Sequence, residues 1–106
     1  IVTCAKGAHT TRYQWDYPNG WAPLQYACIR GCRRYGFENE ARRIAKKFMT
    51  IVASNFRSSG ELCEKYNVVE GTLDVGNEYE MPPLMGWTAG VYAALMRYVG
   101  DCQISQ

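Results

Sequence analysis

The chain has 106 residues, which allows one folded domain. It is 47% hydrophobic and 13% aromatic, ample for a core, and its net charge of +2 argues against an electrostatic nucleic-acid binder. No apolar run reaches the roughly 18 residues that a membrane-spanning helix needs, so no membrane partner is expected.

Ile1-Val2-Thr3-Cys4 lacks Met, a basic segment and an apolar run, so the chain is expected to be a piece of something longer rather than to open on a signal peptide. Residues 1–13 show no apolar period and are expected to form a loop. His9 has the near-neutral pKa of a general base, but a single histidine in a polar loop is also simply solvated.

Next comes Gln14-Trp15-Asp16-Tyr17-Pro18-Asn19-Gly20-Trp21-Ala22-Pro23-Leu24-Gln25. Asn19-Gly20 is a turn signal, because both residues accept positive φ cheaply. Pro18 restricts Tyr17 to an extended conformation, and Pro23 suits a first helical turn, where its missing N–H costs nothing. The stretch reads as a rigid loop that displays aromatic and polar groups and leads into a helix. Aromatic faces stack on the C–H faces of sugars, while Asp, Gln and Asn bind hydroxyls. The alternative is a turn whose tryptophans fill a core.

Pro23 to about Tyr35 is expected to be helical, with Leu24, Ala27, Cys28, Cys32 and Tyr35 at spacings of three and four, ending at Gly36. Glu38 to about Ser58 is the clearest helix. Ala41, Ile44, Ala45, Phe48, Val52 and Phe56 form its apolar stripe, and Ser58-Ser59-Gly60 closes it. Arg42, Arg43, Lys46 and Lys47 fit a solvated face better than a nucleic-acid surface, since no aromatic interleaves with them. Two helices joined this closely form an antiparallel hairpin.

The segment from about 59 to 83 changes character. It is acidic and glycine-punctuated, and is expected to be a long functional loop with a short extended piece near Asn67 to Val69. Leu84 to about Val99 forms the third helix, with Leu84, Trp87, Val91, Leu95 and Tyr98 on one face and Gly86 and Gly90 opening a groove. Gly100 is expected to end it, leaving a frayed tail.

Five cysteines, Cys4, Cys28, Cys32, Cys63 and Cys102, form no CxxC pair. Cys28 and Cys32 sit one helical turn apart, but with a single histidine and no second pair a metal site is not expected. The odd count leans toward a reducing, cytoplasmic compartment.

Glycoside hydrolysis needs two carboxyl groups flanking the scissile bond, about 6.5–9.5 Å apart in inverting enzymes. Asp16, Glu61, Glu64, Glu70, Asp74, Glu78 and Glu80 are candidates; either Glu64 or Glu78 could face a cleft, and a plain surface carboxylate is the alternative reading of each.

Residues 14–25 resemble the QWDxPNGWAPxQ signature of the family 37 trehalases at every fixed position. Three more elements resemble that family in its order. Glu64-Lys65-Tyr66 is similar to its EKY tripeptide, Glu78-Tyr79 to its GEY element, and Gly86-Trp87-Thr88-Ala89-Gly90-Val91 to GFGWTNGV. The chain departs from the pattern in three places. Val75-Gly76-Asn77 replaces a glycine run, Met81-Pro82 replaces the segment carrying a glutamine, and Ala89 stands for an asparagine.

The resemblance implies an all-α fold, helical hairpins forming part of an (α/α)6 toroid, with residues 1–106 the C-terminal portion of a single catalytic domain. It implies an inverting hydrolase that splits α,α-trehalose, a disaccharide substrate, into two glucoses without a cofactor. Glu64 would be the general base and Glu78 would hold the substrate or the attacking water. Trp15, Asp16, Asn19, Trp21 and Trp87 would line the sugar site. The family's acid is an upstream Asp absent from residues 1–13, so the rest of the parent catalytic domain is an expected partner. Two alternatives stay open: a glucoside-binding module or catalytically dead relative, and a helical piece with no ligand.

Overall fold

The computed structural model describes residues 1–7, 13–83 and 85–104; His9 and Leu84 lie outside the described residues. Its regular elements are β1 (Asn19–Trp21), α1 (Ala22–Arg34), α2 (Glu38–Ser59), β2 (Lys65–Asn67) and α3 (Met85–Ile104). The architecture is helical, with one small two-stranded sheet, and each helix packs on the other two.

Local chemistry explains the boundaries. Pro23 lies in the first turn of α1, and Arg33 and Arg34 in its last turn face the negative end of the helix dipole. Gly36 takes φ 83°, and the Phe37 N–H donates to the Cys32 carbonyl at 2.8 Å, so the chain reverses and α2 returns along α1. Glu38 and Glu40 open α2; Gly60 closes it at φ 76°, donating to the Phe56 carbonyl at 2.8 Å.

The core lies between the helices. Ala41, Ile44, Ala45, Phe48 and Val52 of α2 bury as the stripe predicts, together with Leu95 and Tyr98 of α3. Phe56 is exposed instead, and its neighbour Asn55 turns inward. That polar side chain is satisfied, because its amide donates to the carbonyls of Ile51 at 2.8 Å and Gly71 at 3.0 Å.

The structure corrects four expectations. First, the buried face of α1 is Ala22, Gln25 and Ile29, at i, i+3 and i+7, while Leu24, Ala27 and Tyr35 are exposed. A polar Gln25 hides this face from an apolar count, yet its Nε2 donates to the Ile1 carbonyl at 2.6 Å. Second, Asn19-Gly20 is not a turn. Both residues are strand, without positive φ, because β2 supplies a pairing partner. The turn lies just before, where the Asn19 N–H donates to the Asp16 carbonyl at 2.9 Å. Third, the extended piece is Lys65–Asn67, two residues earlier than expected. Fourth, α3 runs through Gly100 to Ile104, since a helical glycine costs only about 1 kcal/mol.

Between Gly60 and Pro83 the chain is irregular apart from β2, as expected, and asparagines organise it. Asn67 Oδ1 accepts the N–H groups of Val69 at 3.2 Å and Glu70 at 3.0 Å, and its amide donates to the Asp74 carbonyl at 3.2 Å. No helix among the described residues is long and apolar enough to cross a membrane.

Candidate active site

The antiparallel pair β1–β2 brings residues 14–25 beside residues 64–66. Asn19 faces Asn67, Gly20 faces Tyr66, and Trp21 faces Lys65. Close approach at this point requires glycine. A Cβ on Gly20 would lie 2.5 Å from Val68 Cγ1 and 2.8 Å from the Ile1 carbonyl oxygen.

Glu64 enters the site immediately before β2, and its backbone is held on both sides. Upstream, Cys63 donates its N–H to the Tyr66 hydroxyl at 2.9 Å, and its carbonyl accepts from Thr88 Oγ1 at 2.7 Å. Thr88 thereby ties α3 to the site, and the Tyr66 ring packs edge-on against Phe48 of α2 at 6.0 Å. Downstream, the β1–β2 ladder takes over.

The Glu64 carboxylate is largely buried and, among the described residues, is held by Tyr79 and Lys65. The Tyr79 hydroxyl donates to it, 2.7 Å from each oxygen, and the Lys65 ammonium lies 3.0 Å from Oε2. Lys65 is 0% exposed. Its Nζ stands 5.0 Å from the centroids of both the Trp21 and Tyr79 rings. The hydrogen bond to Glu64, then burial and the carboxylate's charge, hold the Tyr79 hydroxyl above its usual pKa. As a phenol it is protonated at neutral pH and donates.

Three tryptophans form one aromatic wall. Trp15 stacks on Trp21 with centroids 3.9 Å apart and planes at 7°, and Trp87 meets Trp21 edge-on at 5.8 Å. Trp21 is 2% exposed, whereas Trp15 is 43% and Trp87 38% exposed. Trp21 Nε1 donates to the Gln14 carbonyl at 3.1 Å, which fixes the inner ring. The outer two present free aromatic surface.

The other sequence candidates sit elsewhere. Asn19 is buried, with its amide on the carbonyls of Gln14 and Gly76 at 3.0 Å each, so it fastens the loop before β1 to the loop after β2. Its Oδ1 has no partner among the described residues. Asp16 accepts the Tyr13 N–H at 3.1 Å and lines a cavity of ≈ 550 Å³ with Lys6, Tyr17, Asn67 and Glu70; Glu64 does not border it. Glu78 is exposed beside Tyr79, which feels its charge, and it does not join the Glu64 cluster.

Sequence reasoning passed over Lys65, Tyr79 and Thr88 as site residues. A lysine between Glu and Tyr in an extended segment was the available signal for the first. The distance of 15 residues between Glu64 and Tyr79 hid the second. Among the described residues no group of three or more His, Cys, Asp or Glu side chains could hold a metal ion.

Chemically, the cluster offers one carboxylate fixed by a cation and a hydroxyl, next to an aromatic platform. That combination suits proton abstraction beside a bound sugar.

The trehalase family model matches residues 3–100. A periplasmic trehalase of Xanthomonas campestris is 42% identical over 93 residues, covering 87% of this chain and 16% of the relative. The periplasmic trehalase of Pseudomonas aeruginosa is 39% identical over 97 residues, covering 88% and 18%. That of Citrobacter koseri is 43% identical over 79 residues, covering 74% and 14%. The chain thus spans about one sixth of the length of the curated relatives it matches. Their names overturn the cytoplasmic leaning drawn from cysteine count, because all three relatives are periplasmic. Among the described residues Cys4, Cys28, Cys32 and Cys63 are free thiols, the last three in or against the helical core, so their number is no compartment marker. With 98 consecutive positions spanned by the family model and the four signature elements among them, the chain belongs to the trehalase family.

Proposed function

We propose that this chain is the C-terminal portion of a single trehalase catalytic domain, and that the whole domain splits α,α-trehalose into two glucoses with inversion. The observation that carries this reading is the buried Glu64 carboxylate, gripped by Lys65 and Tyr79 beside the Trp15–Trp21–Trp87 wall. In this reading Glu64 takes a proton from the attacking water while an upstream acid protonates the leaving oxygen. The exposed faces of Trp15 and Trp87 support a glucosyl ring, whereas Asp16 and Glu78 lie apart from the Glu64 cluster and would reach the substrate only from the rest of the sugar site in the whole domain. Asn19 serves that site by holding Gln14 and Gly76.

The exposed apolar side chains Leu24, Tyr35, Phe37 and Met96 support a larger surrounding domain, an (α/α)6 toroid in which these helices are members. The relatives' names support a periplasmic setting.

The test is Glu64→Gln in the full-length protein, with glucose release and trehalose binding measured together. Turnover should fall by at least about 10²-fold, with binding kept within a few-fold, as expected for a lost general base. Undiminished glucose release would reject Glu64 as the base. Trehalose binding without any turnover by the wild-type protein would leave a glucoside-binding module instead.

A further inference from the structure

Lys65 has a position that neither the fold nor the proposed reaction explains by itself. Its side chain is 0% exposed, and its cation reaches one carboxylate oxygen and two aromatic faces. An ammonium removed from water is costly unless paired, and an apolar side chain of similar volume generally serves a core better. Stability alone therefore gives no reason for a charge here.

Its reach is also not automatic. Successive side chains along a strand point to opposite faces, so neighbours such as Glu64 and Lys65 ordinarily diverge. They meet because β2 begins only at Lys65, while Glu64 still lies in the bend held by Tyr66 and Thr88 through Cys63. Trp21, directly opposite Lys65 in the ladder, then stops the stem from swinging away.

The two carboxylate oxygens are not equivalent. Oε2 carries both the Lys65 ammonium at 3.0 Å and the Tyr79 hydroxyl, whereas Oε1 carries the Tyr79 hydroxyl alone. Tyr79 itself is 45% exposed on the loop before α3.

Building on the reading of Glu64 as the base, we infer that Lys65 is a positioning residue of the hydrolysis. It pins Oε2 in the protein, so that Oε1, held by the Tyr79 hydroxyl alone, is the atom with a lone pair to accept the proton of the attacking water. The proton passes from water to Oε1. The water oxygen bonds to the anomeric carbon as the glycosidic bond breaks, and the leaving oxygen takes its proton from the acid on the other side. Trp21 and Tyr79 act on the ammonium, holding it between their faces.

The experiment uses the full-length protein with trehalose, comparing wild type with Lys65→Met, Glu64→Gln and the double variant, and following kcat, KM and thermal unfolding. Lys65→Met should lower kcat about 10²-fold with KM within about threefold, because the carboxylate loses its fixed pose while the sugar platform stays. In the Glu64→Gln background the same change should lower the residual kcat no further, since Lys65 acts through Glu64. A Lys65→Met kcat within about threefold of wild type overturns the inference, as does a full further loss in the double variant. If Lys65→Met does not fold, Lys65→Gln carries the same test, because it keeps a donor and removes the charge. There, a kcat lowered at least about tenfold at constant KM supports the inference, and an unchanged kcat overturns it. Undiminished turnover by Glu64→Gln sinks the base assignment itself. Loss in Glu64→Gln with none in the Lys65 variants sinks only the role of Lys65.

Discussion

The Tyr79 hydroxyl lies 2.7 Å from each oxygen of the Glu64 carboxylate, 15 residues earlier in the chain. One donor shared between two acceptors centres the carboxylate on the hydroxyl. In the full-length protein, Tyr79→Phe should lower kcat about tenfold to a hundredfold, the usual worth of a hydrogen bond to a charged group, with KM little changed. Steady-state kinetics on trehalose checks this. An unaltered kcat would mean that Lys65 alone sets the carboxylate's pose.

Trp15 and Trp21 are stacked, yet their exposures predict opposite phenotypes. Trp21 is 2% exposed and hydrogen-bonded, so Trp21→Ala should cost about 3–5 kcal/mol of stability through the cavity it leaves. Trp15 is 43% exposed, so Trp15→Ala should cost under about 1.5 kcal/mol of stability and instead raise KM several-fold, by removing a stacking face for the sugar. Denaturant midpoints and KM for the two variants, measured side by side, separate these roles.

Gly20 sits where strand and loop approach most closely. Gly20→Ala would place a methyl 2.8 Å from the Ile1 carbonyl oxygen and 2.5 Å from Val68 Cγ1. Side chains can yield, but the backbone oxygen cannot without moving the strand, so a loss of about 1–3 kcal/mol is expected. Because β1 supports Trp21 opposite Lys65, kcat should fall as well. Adding Val68→Ala should recover only part of the stability, which chemical denaturation of the single and double variants would show.

Tyr66 makes stability sensitive to alkali. Burial, first of all, pushes its phenol up to about 12 from the ordinary 10.0. The folded chain therefore keeps a proton that the unfolded chain gives up. This contribution is complete below pH 10 and is lost as pH rises from there toward about 12, amounting to about 2–3 kcal/mol. Burial raises the Cys63 thiol too, so the comparison belongs in a Cys63→Ala background. There, Tyr66→Phe should flatten the alkaline fall in stability. It should also cost about 1–3 kcal/mol at neutral pH, because the Cys63 N–H loses its acceptor. Unfolding midpoints between pH 8 and 12 test both effects.

Much of this protein can be read from its sequence. Helix positions follow from Pro23, Gly36 and Gly60 and, in α2, from apolar spacing, because these act within one or two turns of the chain. The clustering of tryptophans in residues 14–25 and the four signature elements likewise pointed to the family that the comparisons found. Other features depended on partners distant in sequence. Asn19-Gly20 has the composition of a turn and becomes a strand only because Tyr66 and Asn67 arrive to pair with it. Gln25 turns inward because the Ile1 carbonyl is there to accept its amide. Lys65 looks like a surface lysine until Glu64, Trp21 and Tyr79 surround its ammonium. Local rules govern where the backbone coils. Whether a polar side chain can be buried depends on a partner for its charge or hydrogen bond, and here tertiary structure brings those partners from 24, 44 and 14 positions away.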